Sequence, residues 1–198
     1  MVRSLFVTQL YEAEIGEPKL LEELAHSIRS LAKEDEAGRR WSRDHRYAGF
    51  TSYASLNDLP RRDPAFADLA KRLARHATAF AEDCAFDLGR KPRLDSLWVN
   101  AMKGTGHHGA HIHPNSIISG TLYVEVPAGS GAIRFEDPRL PLMMAAPQRS
   151  TDAPEDLRPF FSIEPRPGLL LLWESWLRHE VLPGRSRGER LSISFNFA

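Results

Sequence analysis

Five of the eight histidines lie between Gly106 and Pro114 or at position 179. The dense stretch reads Gly106-His107-His108-Gly109-Ala110-His111-Ile112-His113-Pro114. On a β-strand, residues two apart point to the same face. His111 and His113 therefore present two imidazoles to one side, while Ile112 is expected to pack on the other. A metal needs at least one more ligand, and His179 is the only histidine further along the chain. Imidazole suits iron, zinc, copper and nickel, so the ligand type alone leaves the metal open. Glycine-flanked His107 and His108 read as a solvated loop. Eleven residues after His179 comes Arg190. It shares a strand face with Ser192, Ser194 and Asn196, while Leu191, Ile193, Phe195 and Phe197 form the opposite face. An arginine there suits a face that lines a cavity holding a carboxylate, since its planar fork matches a carboxylate bidentately and Ser192 adds a hydroxyl donor. A solvated arginine on an edge strand is the plainer alternative.

These residues need a scaffold of strands. From Leu94 onward apolar residues alternate: Leu97, Val99 and Ala101; then Leu122, Val124 and Val126; then the last strand. That is the period of half-buried strands. Leu169–Trp173 is apolar throughout and reads as a fully buried strand. Ahead of them, Ser4–Tyr11 reads as a short opening strand or extended segment. A helix follows from Pro18 towards Gly38, with an apolar stripe on Leu20, Leu21, Leu24, Ile28 and Leu31. Arg39–Arg46 reads as a polar loop. Asp63-Pro64 has the form of an N-cap and first helical residue, opening a second helix that runs towards Gly89 and Pro92. Helices followed by strands predict an α+β chain, a β-sandwich or barrel with helical cover. The expected organisation is one domain over 1–198, with the cover at about 17–90 and the strand core at about 94–198. Residues 137–159 read as a long loop, of the kind that often forms lids or touches substrate.

The 198 residues carry 26 basic and 26 acidic side chains and no net charge. Such a balance provides no general field for nucleic acid or an anionic membrane. No apolar run is long enough for a signal peptide or a membrane span. One cysteine, Cys84, permits no internal disulfide and reads as a buried small hydrophobe. A cytoplasmic protein is expected, its oligomeric state open.

In combination these residues resemble the iron(II)/2-oxoglutarate-dependent oxygenase superfamily, and within it a small bacterial family of 2-oxoglutarate oxygenases. The matching pieces are His111-Ile112-His113-Pro114-Asn115-Ser116 with Ser119-Gly120 and Tyr123, then Phe135-Glu136-Asp137-Pro138-Arg139 and Pro165, and Gly168-Leu169 before Trp173. They continue with Ser175-Trp176-Leu177, His179, Val181 and Pro183, and end with Arg190, Ser192 and Ser194-Phe195-Asn196. The resemblance implies a double-stranded β-helix (jelly-roll) with helices against one sheet. It implies Fe(II) held by His111, His113 and His179, and 2-oxoglutarate paired with Arg190 and Ser192. The implied reaction splits 2-oxoglutarate into succinate and carbon dioxide and hydroxylates a C–H bond of a small molecule or peptide. Tyr123, Asn100, Trp98 and Asn196 lie on inward faces and are candidates to shape the pocket.

One position departs from the superfamily. His113 stands where a carboxylate is usual, so a bound metal keeps more positive charge, and zinc or copper join iron as candidates. Asp137 is a candidate partner or ligand, or else a turn residue before Pro138. Competing readings are a three-histidine cupin without 2-oxoglutarate, a non-catalytic metal- or 2-oxoglutarate-binding module, and a purely structural jelly-roll.

Overall fold

Two antiparallel sheets carry the fold in the computed structural model, which describes residues 1–198. The strands are β1 (Leu10–Glu14), β2 (Gly49–Thr51), β3 (Leu94–Lys103), β4 (His108–His111), β5 (Ile118–Glu125), β6 (Ile133–Glu136), β7 (Phe160–Ile163), β8 (Leu169–Glu174), β9 (His179–Val181) and β10 (Glu189–Phe197). The major sheet has the order β1-β8-β5-β10-β3-β2 and the minor sheet β4-β9-β6-β7. This is the expected double-stranded β-helix. Alternation on the major sheet sends Leu97, Val99, Leu122, Leu191, Ile193, Phe195 and Phe197 to one face, where all are fully buried. Between the two sheets Tyr123, Ile133, Phe135, Leu171, Trp173 and Leu177 form a second, smaller core. Leu169–Trp173 is buried on both faces, as its unbroken apolar run predicts.

Two helices, α1 (Pro18–Glu34) and α3 (Pro64–Asp83), cover the outer face, and α2 (Glu36–Asp44) packs at the β2 edge of the major sheet. Leu20, Leu24 and Ile28 of α1, with Phe66, Leu69, Leu73 and Phe80 of α3, complete the larger core. Asp63 caps α3 as its sequence predicts, accepting from the Ala65 amide at 2.8 Å. That helix ends at Asp83, short of Gly89, and Cys84 at its end is only half-buried.

Two expectations need correction. Arg39–Arg46 is not a loop through most of its length, because α2 runs to Asp44. It lacks an apolar stripe. It forms because Asp35 breaks off α1 and caps the next turn, its carboxylate accepting from the Gly38 amide at 2.9 Å. The opening strand begins at Leu10, not Ser4, since pairing with β8 starts where Leu10 lies opposite Trp173. No helix is long and apolar enough to cross a membrane.

Candidate active site

Strand register brings the first two histidines together. His111, last residue of β4, lies directly opposite His179, first residue of β9. Cross-strand partners of this kind share a face, and their ring centroids are 4.4 Å apart. His113 lies two residues past the end of β4. Its backbone amide donates to the Ser175 carbonyl at 2.9 Å, which fixes it beside the pair. Its ring stacks on His179 at 5.2 Å with an interplanar angle of 7°. Ile112 between them is 45% exposed rather than packed, because the chain has left the sheet there.

One imidazole nitrogen from each of His111, His113 and His179 lies within 4.8 Å of the other two. Local carbonyls orient two of the rings. Nδ1 of His111 is 2.8 Å from the Gly109 oxygen, and Nδ1 of His179 is 2.9 Å from the Leu177 oxygen. A carbonyl only accepts, so each Nδ1 carries the proton and each Nε2 keeps its lone pair for a cation. Burial pulls the His179 pKa down to about 3 and that of His113 to about 4, with the neighbouring His111 adding to both. All of this suits a metal, which binds only unprotonated imidazole.

The same groups link stability to pH. An unfolded imidazole takes up its proton near pH 6.5, whereas folded His113 and His179 resist until about 4 and 3. Between those values the unfolded chain binds more protons, so stability is fully present above about 6.5 and erodes as pH falls. Urea denaturation of the metal-free protein is expected to show a lower midpoint at pH 5 than at pH 7. An unchanged midpoint would mean that these rings are open to water.

A cavity of about 850 Å³ opens on the three histidines, within the range of small-molecule sites. Arg190, Ser192, Tyr123, Asn100, Trp98 and Asn196 all line it. Arg190 is only 5% exposed, and it takes part in none of the chain's ion pairs. Its Nη1 donates to the Gly131 carbonyl at 2.9 Å, Nη2 reaches the Met102 sulfur at 3.4 Å, and Nε has no acceptor. Gly131 is held there against the 182–184 backbone, where only a glycine fits: a Cβ would lie 1.8 Å from the Leu182 oxygen. The guanidinium also sits over the Tyr123 ring, 5.6 Å from its centroid. The lone carboxylate lining the cavity, Asp95, is exposed. A buried cation without an anion is costly, so the donor set fits a carboxylate-bearing ligand.

The other candidates resolve individually. Ser192 lies across from Asn100 in the sheet and is 4% exposed. Asn100 donates to Ser194 Oγ at 3.1 Å. Asn196 accepts from Ser119 Oγ at 2.8 Å and so fills the barrel as well as lining it. Asp137 is a turn residue whose carboxylate takes the Arg139 amide and guanidinium, and it stands outside the three-histidine group. The loop 137–159 does not line this cavity. Part of it borders a separate cavity of about 460 Å³ with the N-terminal residues.

His108 is the principal correction. It is no loop residue: it opens β4, and its Nε2 is 3.1 Å from the Tyr47 hydroxyl inside the cavity. Period two would aim it away from His111, but the β4–β9 register shifts between His108 and His111 and brings it inward. Tyr47 was missed altogether, as were Trp41 and Tyr53 on the cavity wall. Their one sequence signal is the cluster of aromatic residues in an otherwise charged stretch.

The fold places the chain among known structures. A Pseudomonas putida prolyl-4-hydroxylase superposes with a TM-score of 0.63 at 18% identity, covering 96% of this chain and 92% of that one. The non-heme α-ketoglutarate-dependent epimerase SnoN from nogalamycin biosynthesis gives 0.66 at 16% identity, covering 96% and 78%. HygX from Streptomyces hygroscopicus, solved with nickel and 2-oxoglutarate bound, gives 0.60 at 14% identity, covering 97% and 82%. No curated protein matches the chain. A family model described as "Putative 2OG-Fe(II) oxygenase" matches residues 96–196, the span that carries the three histidines and Arg190. With just over half its length accounted for in this way, the chain belongs to that family of iron(II)- and 2-oxoglutarate-dependent oxidoreductases.

Proposed function

We propose that His111, His113 and His179 hold the iron and that Arg190, Ser192 and Tyr123 hold 2-oxoglutarate, with Asn100 shaping the pocket floor. The observation that carries this reading is the unpaired, buried Arg190 in the same cavity as three convergent imidazoles. When bound, iron(II) with 2-oxoglutarate would supply oxidative decarboxylation, one atom of dioxygen passing into succinate and the other into a substrate C–H bond. The chain's own residues do the rest. Arg190 neutralises the distal carboxylate where the surroundings exclude water, so the pairing is worth more than at the surface. Tyr123 packs its ring against the guanidinium and keeps its phenol protonated, with burial pushing its pKa up to about 12. Leu177 and Gly109 carbonyls orient the histidine rings, and Trp173, T-shaped against His179 at 4.6 Å, fixes that ring from behind.

The substrate is a small molecule or a peptide segment that enters past the aromatic rings of Trp41, Tyr53 and Trp98. Balanced charge supports such a partner over nucleic acid or a membrane, and with the single cysteine it supports a cytoplasmic setting. Anaerobic titration of Fe(II)-loaded protein with 2-oxoglutarate tests the reading. A weak visible charge-transfer band saturating at one equivalent is expected, with succinate released once air is admitted. Iron uptake that 2-oxoglutarate leaves spectrally unchanged would favour the cupin-like alternative.

A further inference from the structure

The cavity holds a hydrogen-bonded series of side chains, of which the scheme above uses only Asn100. His108 Nε2 lies 3.1 Å from the Tyr47 hydroxyl, Tyr47 lies 3.3 Å from Asn100 Oδ1, and Asn100 Nδ2 donates to Ser194 Oγ at 3.1 Å. The series starts on β4 in the minor sheet. It passes through Tyr47 just ahead of β2, then β3, and ends on β10 in the major sheet. All four residues line the cavity. Tyr47 is the hub, because a phenol donates once and accepts at the same time.

Resting on the reading above, we propose that Tyr47 and His108 are positioning residues of the 2-oxoglutarate pocket, bracing the strand that carries His111 against the strand that carries Arg190.

Register places Tyr47 at the arginine end of the cavity. Arg190 lies opposite Met102, and Met102 lies opposite Gly49, two residues after Tyr47. The arginine's charge is felt at both members of the pair, and burial keeps both neutral. The metal ligands do not need this brace for their own orientation. His111 and His179 are already fixed by the Gly109 and Leu177 carbonyls. Loss of the brace should therefore fall on the distance and alignment between the two ligand sites rather than on the metal.

The experiment is calorimetric titration of 2-oxoglutarate into Ni(II)-loaded protein, with Ni(II) affinity and melting temperature measured alongside. Tyr47→Phe keeps the ring and its packing against His108, 5.3 Å between centroids, and removes only the hydroxyl. Tyr47→Phe and His108→Leu are expected to weaken 2-oxoglutarate binding about tenfold, the effect of one lost buried hydrogen bond. His108→Gln, whose amide can replace Nε2, should recover most of that. Ni(II) affinity should stay within about threefold of the parent. Unchanged 2-oxoglutarate affinity in both Tyr47→Phe and His108→Leu overturns the proposal, and so does a parallel loss of Ni(II) affinity. A parent protein that takes up Ni(II) but no 2-oxoglutarate contradicts the proposed function itself, and the brace assignment with it.

Discussion

An Arg190→Met variant is expected to bind 2-oxoglutarate about a hundredfold more weakly than the parent while melting at the same temperature or higher. The two halves of that result have one cause. Arg190 is nearly fully buried, makes one hydrogen bond to a backbone carbonyl and a weak one to sulfur, and meets no carboxylate. In the ligand-free protein its charge is desolvated without an anion, and a methionine of similar length packing against Tyr123 removes that cost. With 2-oxoglutarate present the same charge is the main anchor, and truncating one partner of a buried charged pair costs about 2–5 kcal/mol of binding. Metal affinity should hardly change, since the hydrogen bonds of Arg190 go to Gly131 and Met102 and to none of the three histidines. Calorimetry and thermal melting of one preparation read both halves. A variant that melts much lower yet binds 2-oxoglutarate normally would make Arg190 a structural residue.

Replacing His179 should give the complementary result. His179→Ala removes the most buried of the three imidazoles, the one against which both other rings pack. Loss of an outer hydrogen-bond partner alone lowers metal affinity about 10–100-fold; loss of a ligand itself should exceed about a hundredfold. The affinity for 2-oxoglutarate should fall with it, because the cosubstrate then lacks the cation that holds its keto-acid end. Competition with a chromophoric chelator measures the first effect. Ni(II) or Fe(II) affinity within about tenfold of the parent would remove His179 from the ligand set.

The strand half of the fold was readable because its chemistry repeats. Alternation in β3, β5 and β10 reports which face meets the helices, and the polar residues left over report the cavity face. His179 stands out in the sequence because it is alone late in the chain, and Arg190 because a guanidinium on an inward face needs a reason. What escaped was set by tertiary context. The His107–His108 pair is flanked by glycines and so reads as loop, but a register shift against β9 overrides that at His108. Tyr47 comes from the stretch between α2 and β2, whose charged residues resemble solvent-facing loop. Its place beside Arg190 is fixed only when β2 pairs with β3. α2 itself is polar and depends on the Asp35 cap, which competes in sequence with the longer pattern of α1. The loop 137–159 was expected near substrate on length alone. It borders a separate cavity with the N-terminal segment instead, where Ser4 Oγ donates to Asp156 at 3.3 Å.

The most direct test is diffraction at the iron edge from crystals grown anaerobically with Fe(II) and 2-oxoglutarate. The expected result is one anomalous peak within bonding distance of His111, His113 and His179, with a cosubstrate carboxylate on Arg190 in the same cavity. An iron peak elsewhere, or 2-oxoglutarate density away from Arg190, would contradict the assignment of this cavity as the catalytic centre.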